Sequence, residues 1–315
     1  MTGQSTPIIL HNYPESPVAE KVRVVFGIKN LAWASVKIPR LPPKPMLTCL
    51  TGGYRRTPVM QIGADIYCDS LCIISELQKR HPTPSLYPAD LTGIVWCLGR
   101  WTDGDLFDLV VKMVLGAAGD NLPENFAEDR GRLYFGDNWA EGLKLANSAL
   151  PHLVSQIRIP LTKLNGMLAD GRKFLMGDMP SAIDAQFYYM VWFMRGRWDR
   201  GERFLAEFEE LTGWEARVRE LGHGDMSELP PESAIEIATA AIPAEPPAFS
   251  NVDDPQGLEI GMRVVVSPDL DSGEQPVEGS IVFADTNRVT IHWNNNIAGD
   301  LHVHFPRAGY RIEIL

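Results

Sequence analysis

An α/β domain, an all-α helical bundle domain and a small C-terminal all-β, barrel-like module make up the architecture predicted for this 315-residue chain. Three observations predict it. Strand-like and helix-like runs alternate over residues 7–87, as in a sheet flanked by helices. From residue 89 to about residue 241 only helical periods recur. Beyond residue 257 short β-branched runs, divided by turn residues, replace them. The division that follows is 1–87, 88–241, a linker over 242–256, and 257–315.

The first domain opens on Ile8, Ile9 and Leu10, a strand over residues 8–12. Val18, Val22, Val25 and Phe26 then mark one face of a helix over 17–29, and a strand follows over 34–38. The polar stretch holding Pro39, Pro42, Pro43 and Pro45 reads as a loop. Val59 to Ile62, the turn Gly63-Ala64-Asp65 and Ile66-Tyr67 read as a β-hairpin. A helix from Asp69 carries Ile73, Ile74 and Leu77 on one face. In the second domain helical periods run over 94–115, 139–157, 183–194 and 204–221, which predicts five or six helices. Prolines 243, 246 and 247 make the linker an extended spacer. In the last module, runs over 262–266, 279–284, 288–293 and 310–314 predict four or five short strands closing a small barrel. So small a core is marginal alone, so the barrel is expected to dock on the helical domain.

Bulk properties exclude several classes of function. A net charge of −11 disfavours nucleic acid and anionic membrane surfaces as partners. The terminal module sets Arg263, Arg288, Arg307 and Arg311 against eight acidic residues, which disfavours nucleic acid there as well. No apolar run is long enough to span a bilayer, and residues 1–6 do not read as a signal peptide. Cys49, Cys68, Cys72 and Cys97 read as free thiols of a cytoplasmic protein. Cys68 and Cys72 lack the second pair of a zinc site. His302 and His304 share a strand face but have no carboxylate or cysteine at ligand spacing, so no metal is expected.

The chemistry concentrates after the first strand. Ser16 sits just before the helix, with Pro17 in its first turn, where a missing N–H costs nothing. Unpaired N–H groups and the helix dipole stabilise an anion at that point. Thioredoxin-like proteins keep a reactive cysteine there, because the turn lowers its pKa. This chain has Ser16-Pro17-Val18-Ala19 in place of Cys-Pro-x-Cys. Without its own thiol, the chain is expected to serve a ligand's anion.

Ser16 at this turn, Thr57-Pro58-Val59, Asp69-Ser70, an all-helical second domain and the box Ser181-Ala182-Ile183-Asp184 stand together in order. In this combination residues 7–230 resemble the cytosolic glutathione transferases. The resemblance implies an enzyme that joins the thiolate of reduced glutathione, a co-substrate, to an electrophilic small molecule held between the domains. It implies a two-fold homodimer. It gives Ser16 the role of donating a hydrogen bond to the sulfur, with Tyr13 as the rival donor. A charge-assisted hydrogen bond of about 1.5–3 kcal/mol lowers a thiol pKa by roughly one to two units. The resemblance also makes the Thr57–Pro58 bond cis, which turns the Thr57 N–H and C=O toward the cysteinyl unit like a strand edge. Asp69 takes the ligand's ammonium, Ser70 the γ-glutamyl carboxylate, and Arg56 beside Arg55 reaches a carboxylate. Helix capping is the plain alternative for Ser16, Asp69 and Ser70. Ser181 and Asp184 read as a stabilising capping box. The aromatic residues of the helical domain, Trp101, Tyr188, Tyr189, Trp192, Phe193 and Trp198, read as core, the alternative being that one or two line an apolar pocket for the second substrate. A glutathione-binding or interaction protein that uses the fold as a dimeric scaffold is the alternative function.

Overall fold

The computed structural model describes residues 6–247, 254–269 and 274–315. These fall into two compact units. The first takes the described residues of Met1–Ala19, Leu31–Leu77 and Asp225–Leu315; the second takes those of Glu20–Asn30 and Gln78–Gly224.

The first unit is built on one sheet. Its strands are β1 (Ile8–Asn12), β2 (Ala32–Lys37), β3 (Val59–Ile62), β4 (Asp65–Cys68) and β5 (Asp225–Glu228). They are followed by β6 (Arg263–Pro268), β7 (Val277–Ala284), β8 (Arg288–Asn295), β9 (Gly299–Pro306) and β10 (Tyr310–Ile314). The strand order is β10-β6-β7-β8-β9-β4-β3-β1-β2-β5. β3 and β4 are buried along their whole length, which suits strands inside a sheet. β5 was not expected among the helical periods: its residues Asp225-Met226-Ser227-Glu228 are all exposed, so no alternation marks it. It extends the sheet edge in parallel with β2.

Two helices of this region begin as expected, α1 (Pro17–Ile28) and, after β4, the helix that opens at Ser70. Between them the proline-rich stretch read as loop contains α2 (Pro45–Thr51). Pro45 sits in the first turn, where proline is tolerated, and Gly52 ends the helix at φ 70°. A Cβ on Gly52 would lie 2.7 Å from Val277 and 3.3 Å from Trp293, so the terminal strands approach α2 too closely for any other residue. α3 then spans Ser70–Arg80.

The terminal module is strand-rich, as expected. Among the described residues β6, β7, β8 and β9 pair antiparallel in chain order, β10 returns to pair antiparallel with β6, and β9 takes β4 as its next neighbour, in parallel. The module therefore continues the first sheet. β9 was the strand with no assigned run; its pairing was invisible because its partner lies so far back in the chain. One core runs through both halves, with Ile9, Val36, Val59 and Ile66 from the first and Val264, Ile281, Ile291, Val303 and Phe305 from the last. Residues 248–253 of the linker lie outside the described residues.

The second unit holds eight α-helices among its described residues: α4 (Thr92–Trp101), α5 (Phe107–Ala118), α6 (Glu124–Phe135), α7 (Trp139–Ser148), α8 (Leu150–Leu168), α9 (Ala182–Arg197), α10 (Gly201–Leu205) and α11 (Glu209–Glu220). The count exceeds five or six because long periods are interrupted. The period over 94–115 breaks at Thr102–Leu106, a π-helical turn. There Asp103 pairs with buried Lys21 at 2.6 Å and accepts a bond from the Tyr189 hydroxyl at 3.1 Å. At the start of α9 Asp184 accepts bonds from the Ser181 N–H and hydroxyl, the Leu175 N–H and the Trp214 indole. Burial pushes its carboxyl up, against those four donors. No helix among the described residues is long and apolar enough to cross a membrane.

Candidate functional site

Register brings the singled-out segments to one end of three neighbouring strands. His11 of β1 faces Val59 of β3, and Val59 faces Cys68 of β4. The chain leaves β1 at that end through Tyr13 and Ser16, and enters β3 there through Thr57 and Pro58. It leaves β4 there through Asp69 and Ser70. Six residues from three distant stretches of sequence thus share one edge of the first unit.

Ser16 is buried and caps α1: its Oγ accepts the Ala19 N–H at 3.2 Å, while its own N–H bonds the Tyr13 carbonyl at 3.1 Å. Capping uses a lone pair of the hydroxyl and does not compete with donation of its proton. The capping role and a sulfur-binding role are therefore compatible in one side chain.

The Thr57–Pro58 bond is cis. Lys44, missed by sequence reasoning, donates to the Arg55 carbonyl at 3.0 Å and to Thr57 Oγ1 at 3.1 Å. Its ammonium lies 5.7 Å from the Tyr13 ring centre, and the Arg40 guanidinium lies 6.0 Å from the same ring. Two cations from the segment before α2 thus flank Tyr13 and Thr57. Only the fold brings them there, and nothing in a run of prolines marks them.

Asp69 has φ 71°, the left-handed region that a non-glycine residue occupies only at a cost of order 1 kcal/mol. Its Oδ1 caps α3 by accepting the Leu71 N–H at 2.8 Å, and Ser70 behind it is buried. Its Oδ2 accepts the hydroxyl of Tyr310, from β10, at 3.1 Å. The Tyr54 hydroxyl stands 3.3 Å from that of Tyr310, and burial foremost drives both phenols well above their ordinary pKa. Arg56 faces the same cluster. Burial opposes its charge, but Tyr54, Tyr310, Glu274 and Asp69 hold it more firmly protonated. Arg55 Nε lies 3.1 Å and Arg56 Nε 3.6 Å from the carboxylate of Glu274 in the terminal module. The carboxylate met by these arginines is thus one of the protein's own. Sequence reasoning missed Glu274 and Tyr310, which lie in a module it had set apart from the site.

His302 and His304 do not stand alone either. His304 stacks on Tyr67 at 4.3 Å, meets Asp65 through Nε2 at 2.9 Å and Thr290 Oγ1 through Nδ1 at 2.9 Å. This is a buried chain of hydrogen bonds across the β4–β9 seam. Among the described residues no group of three or more His, Cys, Asp or Glu side chains is placed to hold a metal ion.

With this geometry in view, the likenesses to known proteins fall into place. The glutathione S-transferase N-terminal domain family matches residues 10–85, and the family for its C-terminal domain matches residues 147–217. A GST-like protein from Pseudomonas syringae is 34% identical, with a TM-score of 0.82, over 98% of this chain and 100% of that one. The chain belongs to the glutathione S-transferase family. The Pseudomonas match is long enough to take in the terminal strands too. Other members share the fold at lower identity. A glutathione S-transferase from Rhodospirillum rubrum is 19% identical, covering 68% of this chain and 91% of its own, at a TM-score of 0.51. A Tau class enzyme from mango, Mangifera indica, is 16% identical, covering 70% and 94%, at 0.50. Both leave about three-tenths of this chain uncovered. Among curated proteins, no sequence matches.

Proposed function

We propose that this family member is a glutathione transferase, which binds reduced glutathione at the shared strand edge and joins its sulfur to an electrophilic carbon. The observation that carries the reading is the convergence of Ser16 at the start of α1, the cis Thr57–Pro58 bond and left-handed Asp69 at one sheet end. Thr57 offers its backbone to the cysteinyl unit. Ser70 and the first turn of α3 receive a carboxylate, and Asp69 receives the ammonium. Lys44 and Arg40, beside Tyr13, supply positive charge for the other carboxylate. The Ser16 hydroxyl donates to the sulfur and favours its ionised form, since a free thiol near pKa 8.5 is only a few per cent thiolate at neutral pH. The thiolate then forms the C–S bond, and either the leaving group departs with its electron pair or, in addition to an activated double bond, the π pair moves onto the activating group and a proton from water is taken up. Tyr13 is the rival hydrogen-bond donor.

The helical unit is proposed to hold the electrophile, and two copies of the chain are proposed to pair as a homodimer in the cytoplasm, where reduced glutathione and free thiols persist. The test is titration calorimetry with reduced glutathione, followed by turnover with an activated aryl halide. Binding with turnover supports the enzyme. Binding without turnover, across a panel of electrophiles, would leave a ligand-binding scaffold. Light scattering at about 35 kDa, the mass of one chain, would contradict the dimer.

A further inference from the structure

Buried Tyr310, on β10, touches Asp69, the residue that the reading above gives to the ligand's ammonium. Its hydroxyl donates to Asp69 Oδ2 at 3.1 Å, while Oδ1 takes the Leu71 N–H at 2.8 Å. The Leu71 bond alone fixes one oxygen and leaves the carboxylate able to turn about its Cβ–Cγ bond, a torsion with no steep preference of its own. The Tyr310 contact stops that rotation. Asp69 is only half-buried, and an ionised carboxylate accepts at about four positions, so holding both oxygens leaves room for an ammonium donor. Tyr310 is itself held. Its ring lies 5.7 Å from that of Phe305, which meets Tyr54 edge-on at 5.9 Å. The Tyr54 hydroxyl stands 3.3 Å from that of Tyr310. The carboxylate is the stronger acceptor, so it takes the Tyr310 proton and Tyr54 donates to the Tyr310 oxygen. Burial foremost keeps both phenols protonated, so the donor persists at neutral pH. Fastening β10 does not need this hydroxyl: the strand pairs with β6 over five residues and buries Ile312 in the shared core.

We propose that Tyr310 is a positioning residue of the thiol-peptide site: through this hydroxyl the terminal module sets the Asp69 carboxylate to receive the ammonium of the γ-glutamyl unit. The proposal rests on the glutathione reading above. Tyr310 acts through Asp69 and not on the ligand itself, so its influence falls on the ammonium alone. It also ties the start of α3 to Tyr54, which opens the segment running through Arg55 and Arg56 into the cis Thr57–Pro58 bond. The ligand carboxylate stays with Ser70 and the first turn of α3, which the module's contact leaves untouched. A contact that only fastened the module would act on every ligand of the site alike.

The test uses the full-length protein and two probes: reduced glutathione and its glutaryl analogue, which keeps the peptide and lacks the ammonium. Dissociation constants are measured by calorimetry for wild type, Tyr310→Phe, Asp69→Asn and the double variant, each checked for native circular dichroism. The readout is ammonium selectivity, the analogue's dissociation constant divided by that of glutathione. Wild type is expected to favour glutathione about tenfold or more, the worth of one charge-assisted contact. Tyr310→Phe removes one oxygen and keeps the ring. It is expected to lower the selectivity about fivefold by weakening glutathione, with the analogue moved by less than about twofold. In the Asp69→Asn background the same substitution should change the selectivity no further, because the two residues act as one unit. Equal losses for both probes, a selectivity that is unchanged or raised in Tyr310→Phe, or the same drop with and without the Asp69 charge would overturn the proposal and leave the glutathione reading standing. If wild type binds neither probe, both fall together. Should Tyr310→Phe fail to fold, Tyr54→Phe decides: it is expected to lower the selectivity about twofold, and an unchanged value overturns the proposal.

Discussion

β4 is paired along both edges, and the two pairings are made by different means. On one side β3 reaches it through the tight turn Gly63-Ala64, with Gly63 at φ 62°, and the register of four residue pairs follows from the turn. On the other side β9 arrives from more than 230 residues later, as a parallel strand with no turn to set its register. There side chains do the work. His304 meets the Asp65 carboxylate through Nε2 and the Thr290 hydroxyl through Nδ1, each at 2.9 Å, while Asp65 Oδ2 accepts the Ala244 N–H. A slip of one residue would turn His304 and Asp65 to opposite faces and leave buried polar groups without partners. A local pairing can be fixed by backbone geometry. A distant one needs side chains that are costly in every register but one.

The strongest way to break this comparison is to remove the distant edge. Deleting residues 257–315 strips β4 of a neighbour and opens the shared core at Tyr54, Ile66 and Val59. The expected outcome is loss of soluble folded protein, read by size-exclusion chromatography and circular dichroism. A monodisperse truncation with a native spectrum would mean the distant edge contributes little.

A narrower cut is Asp65→Ala, which leaves His304 buried beside an empty position. We expect it to cost about 1–3 kcal/mol in denaturant unfolding, the worth of a buried donor left without its partner. Gly63→Ala, on the local edge, should cost about 1 kcal/mol for the left-handed φ. Equal losses in the two variants would erase the distinction between the edges.

Acid tests both halves of the sheet. Burial lowers the His11 pKa to about 4, against its hydrogen bond to Gln61, and burial also lowers that of His304. For a histidine whose folded pKa is depressed, the unfolded chain binds the extra proton. Stability is therefore complete above pH 6.5 and is lost as pH falls from there toward the folded value. For His11 the loss amounts to about 3 kcal/mol by pH 4. Asp65 acts in the same direction: burial raises its carboxyl, but the His304 hydrogen bond and charge, the Ala244 N–H and His302 together outweigh this and hold it below its usual value, so its contribution fades as pH falls. Unfolding midpoints from pH 7.5 to 4 should show the decline, and His11→Gln should flatten it. An undiminished decline in His11→Gln would assign the acid sensitivity to the β4–β9 seam.

The smallest expected change lies at the strand ends. Ser16→Ala should lower kcat about ten- to a hundredfold and cost about 1 kcal/mol of stability through the lost cap. If Tyr13→Phe loses turnover and Ser16→Ala does not, the donor is Tyr13.

The amino-acid sequence determined whatever depends on neighbours. The strand–helix alternation of the first domain follows from periodicity. The places of Ser16, Thr57-Pro58 and Asp69 at element ends follow from turn and cap chemistry, and the Ser181–Asp184 box from its own spacing. Local signals failed where the local residues carry no pattern. Exposed Asp225-Met226-Ser227-Glu228 became a strand only because β2 had an edge to extend, and Pro45 opened α2 because its missing N–H fell in a first turn. The tertiary structure alone decided that the terminal strands continue the first sheet, and that Glu274 and Tyr310 stand on Arg55, Arg56 and Asp69. The reason is that periodicity and capping act over a few residues. A parallel seam and an ion pair between distant segments exist only once the chain has closed those loops, and no spacing in the sequence records which loops close.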